Sequence, residues 1–181
     1  MKKWKIDSAH SEVKFKVKHL LVSTVTGQFN KFDAEIEASD ETFDNSKVTF
    51  SADVDSIDTK NEQRDGHLKS ADFFDAEKNP KLTFVSKEFK KLSEGKFELT
   101  GDITIRGITK EVTLNVEYNG IAKGFDGLEV AGFEITGKLN RFDFGLQWNA
   151  MTEAGGIVVG PDVKLEIFAE MTVAAGVSKA A

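Results

Sequence analysis

Along most of this chain apolar and polar residues alternate with a period of two, the signature of strands with one dry and one wet face. Between His10 and Leu20, Val13, Phe15 and Val17 alternate with Glu12, Lys14, Lys16 and Lys18, and His19 falls on the apolar parity. A second strand is expected from about Val25 to Ala38, with Val25, Gly27 and Phe29 on one face and Phe32, Ala34 and Ile36 continuing it at the opposite parity. That slip near Asn30-Lys31 predicts a β-bulge. Val48, Phe50, Ala52 and Val54 mark a third strand and Leu82 to Phe89 a fourth. Ser93 to Lys96 reads as a hairpin turn into a fifth strand with Phe97, Leu99, Ile103 and Ile105 inward, and Arg106-Gly107 as a tight connection to a sixth at Val112, Leu114, Val116 and Tyr118. After a turn over Lys123 to Gly127, Leu128 and Val130 give way to Phe133, Ile135 and Leu139 across Gly132, which suits a bulge or a barrel corner. Residues 140–160, rich in Gly, Asn and Phe, form an irregular loop before an eighth strand with Val163, Leu165, Ile167, Ala169 and Met171 on one side. One domain over 1–173 is expected, followed by a frayed Ala-rich tail.

Residues 59–74 break the pattern and gather an arginine, a histidine and two phenylalanines. Thr59 and Glu62 have the spacing of a capping box, so a short helix is expected to begin at about residue 60. Leu68 and Ala71 are its apolar stripe, with Arg64 and His67 on the adjoining turns. Asn79-Pro80 then makes a turn. Eight strands of this kind have few arrangements, and closure into an antiparallel barrel removes every sheet edge. The expected fold is therefore all-β, an extended eight-stranded antiparallel barrel with a short helix after the third strand; a two-sheet sandwich is the alternative. An eight-stranded barrel either fills its interior with side chains or holds one elongated ligand.

Composition narrows the chemistry. Fifteen phenylalanines stand against one tyrosine, which suits a dry interior or a lipid-like ligand better than a wet recognition surface. Net charge is -6 with lysines scattered among carboxylates, so nucleic acid is not an expected partner. There is no cysteine, hence no disulfide framework, thiolate nucleophile or cysteine-ligated metal. Met1-Lys2-Lys3 leads into Trp4-Lys5-Ile6-Asp7 with no apolar signal region and no long apolar run, so the chain as written is expected to be cytoplasmic and to lack a membrane span. A periplasmic location is the alternative if a signal peptide has been removed.

Catalytic readings find little support. His10 and His19 differ by an odd number along an expected strand, facing opposite sides roughly 30 Å apart at ~3.3 Å per residue. Asp65 and His67 are two apart on a helix and point away from each other. No Gly-x-Ser-x-Gly elbow is present, and Gly155-Gly156-Ile-Val-Val-Gly160 precedes a strand where a phosphate loop would join a strand to a helix. No enzyme activity, metal or cofactor is expected.

Several separated motifs resemble the YceI family of lipocalin-like, polyisoprenoid-binding proteins. Trp4-Lys-Ile6-Asp7-Ser-Ala-His10-Ser11, with Phe15, His19 and Gly27-Gln-Phe29, looks like the family's N-terminal signature. Ser56-Ile57-Asp-Thr59-Lys-Asn61-Glu-Gln-Arg64-Asp65-Gly-His67-Leu68, with Phe73-Phe74-Asp75, Pro80 and Phe84-Val-Ser86, resembles its most specific stretch. Gly101-Asp-Ile-Thr-Ile-Arg106-Gly107-Ile-Thr109 and Arg141-Phe-Asp143-Phe144-Gly145 resemble later motifs.

The resemblance implies an apolar bore holding an isoprenoid chain, with a symmetric homodimer as a further expectation. Strand parity then puts Val13, Phe15, Val17, Phe29, Phe50, Phe84 and Phe133 on the inner face and Leu68, Phe73, Phe74 and Phe144 at the mouth, with His19 on the apolar side. Arg64, His67 and Arg141 are the donors available to a quinone or diphosphate head group. Each residue has a plainer reading: the apolar ones as core, His19 as a hydrogen-bonded core histidine, and Arg64 as half of an ion pair with Asp65 or Glu62. On the plainest reading the whole protein is a structural or interaction barrel with a filled core and no lipid.

Overall fold

The computed structural model describes residues 1–174; the expected frayed tail lies outside the described residues except for Ala174. Alternation along the chain is realised as strands β1 (Lys2–Ile6), β2 (Glu12–His19), β3 (Ser23–Phe29), β4 (Phe32–Ala38), β5 (Lys47–Asp53), β6 (Ile57–Asp58), β7 (Lys81–Ser93), β8 (Lys96–Ile105), β9 (Ile108–Lys123), β10 (Glu129–Asn140) and β11 (Val159–Val173). One α-helix, α1 (Glu62–Lys69), and two 3-10 turns, Val54–Ser56 and Arg141–Phe144, complete the described chain.

All pairings are antiparallel, and the sheet closes on itself through β1 and β11. Three strand positions are built from two pieces each. β1 and β2 both pair with β11, at Met171–Val173 and over Val159–Phe168 respectively. β3 pairs β2 while β4 pairs β1, and β5 and β6 follow on β4 and β3. With β7 to β11 the ring has eight positions, a closed eight-stranded antiparallel barrel.

Two differences from the sequence reading have local causes. The slip at Asn30-Lys31 is a full break between β3 and β4, because the turn Val54–Ser56 takes over their backbone groups: Asn30 N–H donates to Ser56 O, Lys31 N–H to Ser56 Oγ, and Asp53 N–H to Lys31 O. Strand β5 consequently ends at Asp53, and Val54 turns inward at 2% exposure. The N-terminal strand β1 was not anticipated at all. Its Trp4 is fully buried and, with Phe43, Phe97, Tyr118 and Phe133, plugs one end of the barrel through ring contacts of 5.1–6.3 Å. The expected features at Arg106-Gly107 and Gly132 are present, the first as a turn with positive φ at both residues, the second as a register shift between Gly132 and Phe133.

Candidate functional site

Inside the barrel, above the aromatic plug, lies a cavity of about 620 Å³. Residues of β11 from Val159 to Met171 line it, and twelve residue steps correspond to ~40 Å along the strand. The cavity is therefore elongated, with Phe89, Phe133 and Met171 toward the plugged end. Its walls are side chains of the inward parity, including Val13, Phe15, Val17, Phe29, Phe50 and Phe84.

The mouth is built from three segments. The first is α1 and the chain after it, which contribute Asn61, Gln63, Arg64, His67, Leu68, Phe73 and Phe74. The second is the 3-10 turn and loop carrying Arg141, Phe144, Leu146 and Trp148, and the third is the end of the β2–β3 hairpin with Val17, His19 and Val25. All fifteen residues singled out in the sequence thus border one cavity.

The start of α1 differs from the expected capping box. Asn61 is the N-cap, its side chain accepting from Arg64 N–H at 2.9 Å. Thr59 is engaged elsewhere: its N–H and hydroxyl both donate to Asp65 Oδ1, at 2.9 and 2.6 Å. Arg64 Nε in turn donates to Thr59 Oγ1 and Nη2 to Thr59 O, both at 2.7 Å. Asp65 and Arg64 therefore share Thr59 instead of forming the anticipated ion pair, and Arg64 has no carboxylate partner among the described residues. The helix ends at Lys69, before Ala71, which is exposed and adds nothing to its apolar side.

His67 pairs with Asp72 through Nε2 at 2.8 Å and packs edge-on against Phe73 and Trp148, with centroids 5.1 and 4.6 Å away. Phe74 meets Phe29 edge-on at 6.1 Å, joining the helical segment to the barrel wall. The His19 ring makes no hydrogen bond to a described residue and lies on the cavity rim, unlike a bonded core histidine.

Arg141 is 5% exposed, and its guanidinium donates to four backbone carbonyls: Nε to Gly160 at 2.9 Å, Nη1 to Leu146 and Trp148 at 2.6 and 2.8 Å, and Nη2 to Val159 at 3.1 Å. Burial pushes its pKa below the ordinary arginine value. Phe142 faces it with the ring centroid 4.6 Å from Cζ. These bonds tie the irregular loop to the start of β11. The charged residues bordering the cavity, Lys14, Lys18, Arg64 and Arg141, are all basic although the chain carries a net charge of -6.

Parity reasoning passed over Trp148 and Leu146, which sit in a loop without periodicity; proximity in sequence to Arg141 was the one available signal. It also misplaced His10. The residue precedes β2, so strand parity does not govern it. Its Nδ1 lies 2.8 Å from Asp7 Oδ2 and 3.7 Å from Glu170 Oε1, three ligand-capable groups gathered away from the cavity.

A family model for the YceI-like domain matches residues 4–171. A UPF0312 protein of Staphylococcus aureus strain MSSA476 is 44% identical over 174 residues, covering 96% of this chain and 99% of the relative. A Staphylococcus epidermidis UPF0312 protein is 42% identical with the same coverage. Among solved structures, the Campylobacter jejuni YCEI protein is 37% identical, covers 92% of this chain and 95% of its own, and superposes with a TM-score of 0.73. A polyisoprenoid binding domain from Saccharophagus degradans shares the fold at 12% identity, with a TM-score of 0.70 and coverage of 94% and 98%. On the extent of the family match and the staphylococcal identities, the chain belongs to the YceI-like domain family.

Proposed function

We propose that the protein binds one elongated apolar ligand, a polyisoprenoid chain or an isoprenoid carrying a quinone or diphosphate head, and stores or transports it without chemical conversion. The 620 Å³ cavity carries this reading, since a barrel that served only as a packed scaffold would fill that space with its own side chains. Transfer of a hydrocarbon chain from water gains ~0.8 kcal/mol gross per buried methylene, from which ordering and immobilisation subtract heavily. No hydrogen bond is needed for affinity. The basic rim and the polar groups of Asn61, Gln63, Arg64 and His67 favour an electron-rich head group held at the mouth. The fold shared with the S. degradans polyisoprenoid binding domain is consistent with a hydrocarbon occupant.

The test is titration with a polyprenyl alcohol and a short-chain quinone analogue, comparing the parent protein with Ala34→Phe, which narrows the cavity, and with Leu68→Asp/Phe74→Asp at the mouth. The expected outcome is saturable uptake by the parent, weakened by the narrowed variant and by the mouth variant while the β circular dichroism persists. Equal behaviour of all three proteins would refute the assignment of this cavity.

A further inference from the structure

The hairpin joining β2 to β3 ends in Leu20, Leu21 and Val22, which are 40%, 68% and 85% exposed. Leu20 and Leu21 have φ of 53° and 60°, and Val22 N–H donates to His19 O at 3.2 Å. A turn with two consecutive positive φ values ordinarily uses Asn-Gly, because branched apolar side chains are strained there. Here two leucines occupy it, and Leu21, with Val22 after it, buries little against the rest of the chain. The residue choice opposes local turn chemistry and solubility together, so its benefit lies in something outside the chain.

Three observations identify the occupant. First, the apolar surface continues from the cavity to the tip. His19 borders the cavity, Leu20 N–H donates to the carbonyl of Val158, another bordering residue, and the adjacent loop presents Met151 at 74% exposure.

Second, the outer wall beneath the tip is basic. Lys138 on β10, Lys164 on β11 and Lys16 on β2 stand directly opposite one another across three neighbouring strands. Lys138 and Lys16 reach Asp162 and Glu166, while Lys164 has no carboxylate partner among the described residues. Lys18, two residues nearer the tip, donates only to Thr24 Oγ1 at 3.2 Å. Such a lysine group in a chain of net charge -6 complements an anionic surface.

Third, the tip is a projecting turn of three residues, far short of the area a stable dimer buries, and the lysine row would face its own copy across a two-fold axis. A small apolar projection flanked by lysines fits the headgroup region of a bilayer.

We propose that the Leu20–Val22 tip inserts into the surface of a lipid bilayer containing anionic lipids, with Lys18, Lys16 and Lys164 against the headgroups, and sets the cavity mouth at the membrane. The purpose of this docking rests on the carriage reading; the contact itself does not. The test is flotation with phosphatidylcholine vesicles, with and without phosphatidylglycerol, alongside uptake of a fluorescent fatty acid probe in vesicle-free solution.

The parent protein floats with the anionic vesicles, and roughly a hundredfold less with the neutral ones. Lys16→Gln/Lys164→Gln weakens anionic binding roughly thirtyfold and flattens its salt dependence. Leu20→Asn/Leu21→Gly supplies the preferred turn residues, so it melts higher than the parent yet loses flotation, and it keeps probe uptake because Leu20 and Leu21 do not line the cavity. Flotation unchanged by the tip variants, or absent from the parent, overturns the proposal, as does a dimer of the parent that Leu21→Asp dissolves while vesicles are ignored. Flotation that depends on the tip in a protein that takes up no probe would remove carriage and leave the docking standing.

Discussion

Replacing Arg141 with methionine removes the buried cation while keeping most of the side-chain volume. Of the four carbonyls it serves, that of Val159 also accepts from Asn149 Nδ2 at 2.9 Å, so those of Leu146, Trp148 and Gly160 lose a side-chain donor without such a substitute. At about 1–1.5 kcal/mol per buried acceptor left unserved, the loss is roughly 3–4.5 kcal/mol. Relief from desolvating a guanidinium that has no carboxylate beside it offsets part of this, leaving about 3 kcal/mol. For a chain of this size that lowers the melting temperature by roughly 6–12 °C. Urea unfolding gives the free energy, and amide exchange locates it: residues 146–160 should lose protection while β7 to β9 keep theirs. Arg141→Lys, with a compact ammonium in place of the planar fork, should recover about half of the loss at most. A cost below about 1 kcal/mol with unchanged exchange over 146–160 would refute the reading of Arg141 as the tie between loop and barrel.

Two further perturbations address the wall and the surface. A Cβ at Gly27 would lie 2.3 Å from the Phe15 ring, which packs across it and against Phe29 at 5.6 Å, so Gly27→Ala should push the ring into the bore, cost about 1–3 kcal/mol and reduce ligand uptake; a variant with parent stability and uptake would show that the ring is not held there. The Asp7–His10 pair should give a pH-dependent contribution to stability. His10 is raised above its ordinary 6.5 by its bond to Asp7, so its share is complete below about 6.5 and is lost as pH rises through the folded value. Asp7 is held below its ordinary 3.8, chiefly by the bond to His10, so its share is present above about 3.8 and is lost as pH falls through the folded value. The stability difference between parent and His10→Ala should therefore peak between about pH 4 and 6.5, and an NMR titration should find the His10 midpoint above 6.5. A midpoint at or below 6.5 would contradict the pairing.

Much of the barrel was legible because a strand with one wet face writes its geometry into every second residue. The alternation of Val112 to Tyr118 and the glycine at the β10 bulge translate directly into observed register. Where a residue's position follows from contacts with distant segments, periodicity carries no trace. Phe43 enters the plug from a loop with a positive φ, and Trp148 reaches His67 from an aperiodic one. β1 alternates Lys3, Trp4 and Lys5 correctly but over five residues, too short a run to stand out. At the start of α1 the hydroxyl of Thr59 goes to Asp65, and the cap falls to Asn61, which the sequence reading had not singled out for it. The strand residues of the cavity wall were reachable from parity. That they enclose open space, instead of meeting across a filled core, depends on summed side-chain volumes that no pattern of alternation expresses.

On the proposed function a hydrocarbon chain occupies this space in the working protein. Native mass spectrometry of gently purified protein is paired with organic extraction and analysis of the extract. The expected result is a bound apolar molecule whose chain fills the bore, released by extraction and taken up again on titration. An empty extract together with no uptake of polyprenyl or quinone analogues would contradict it.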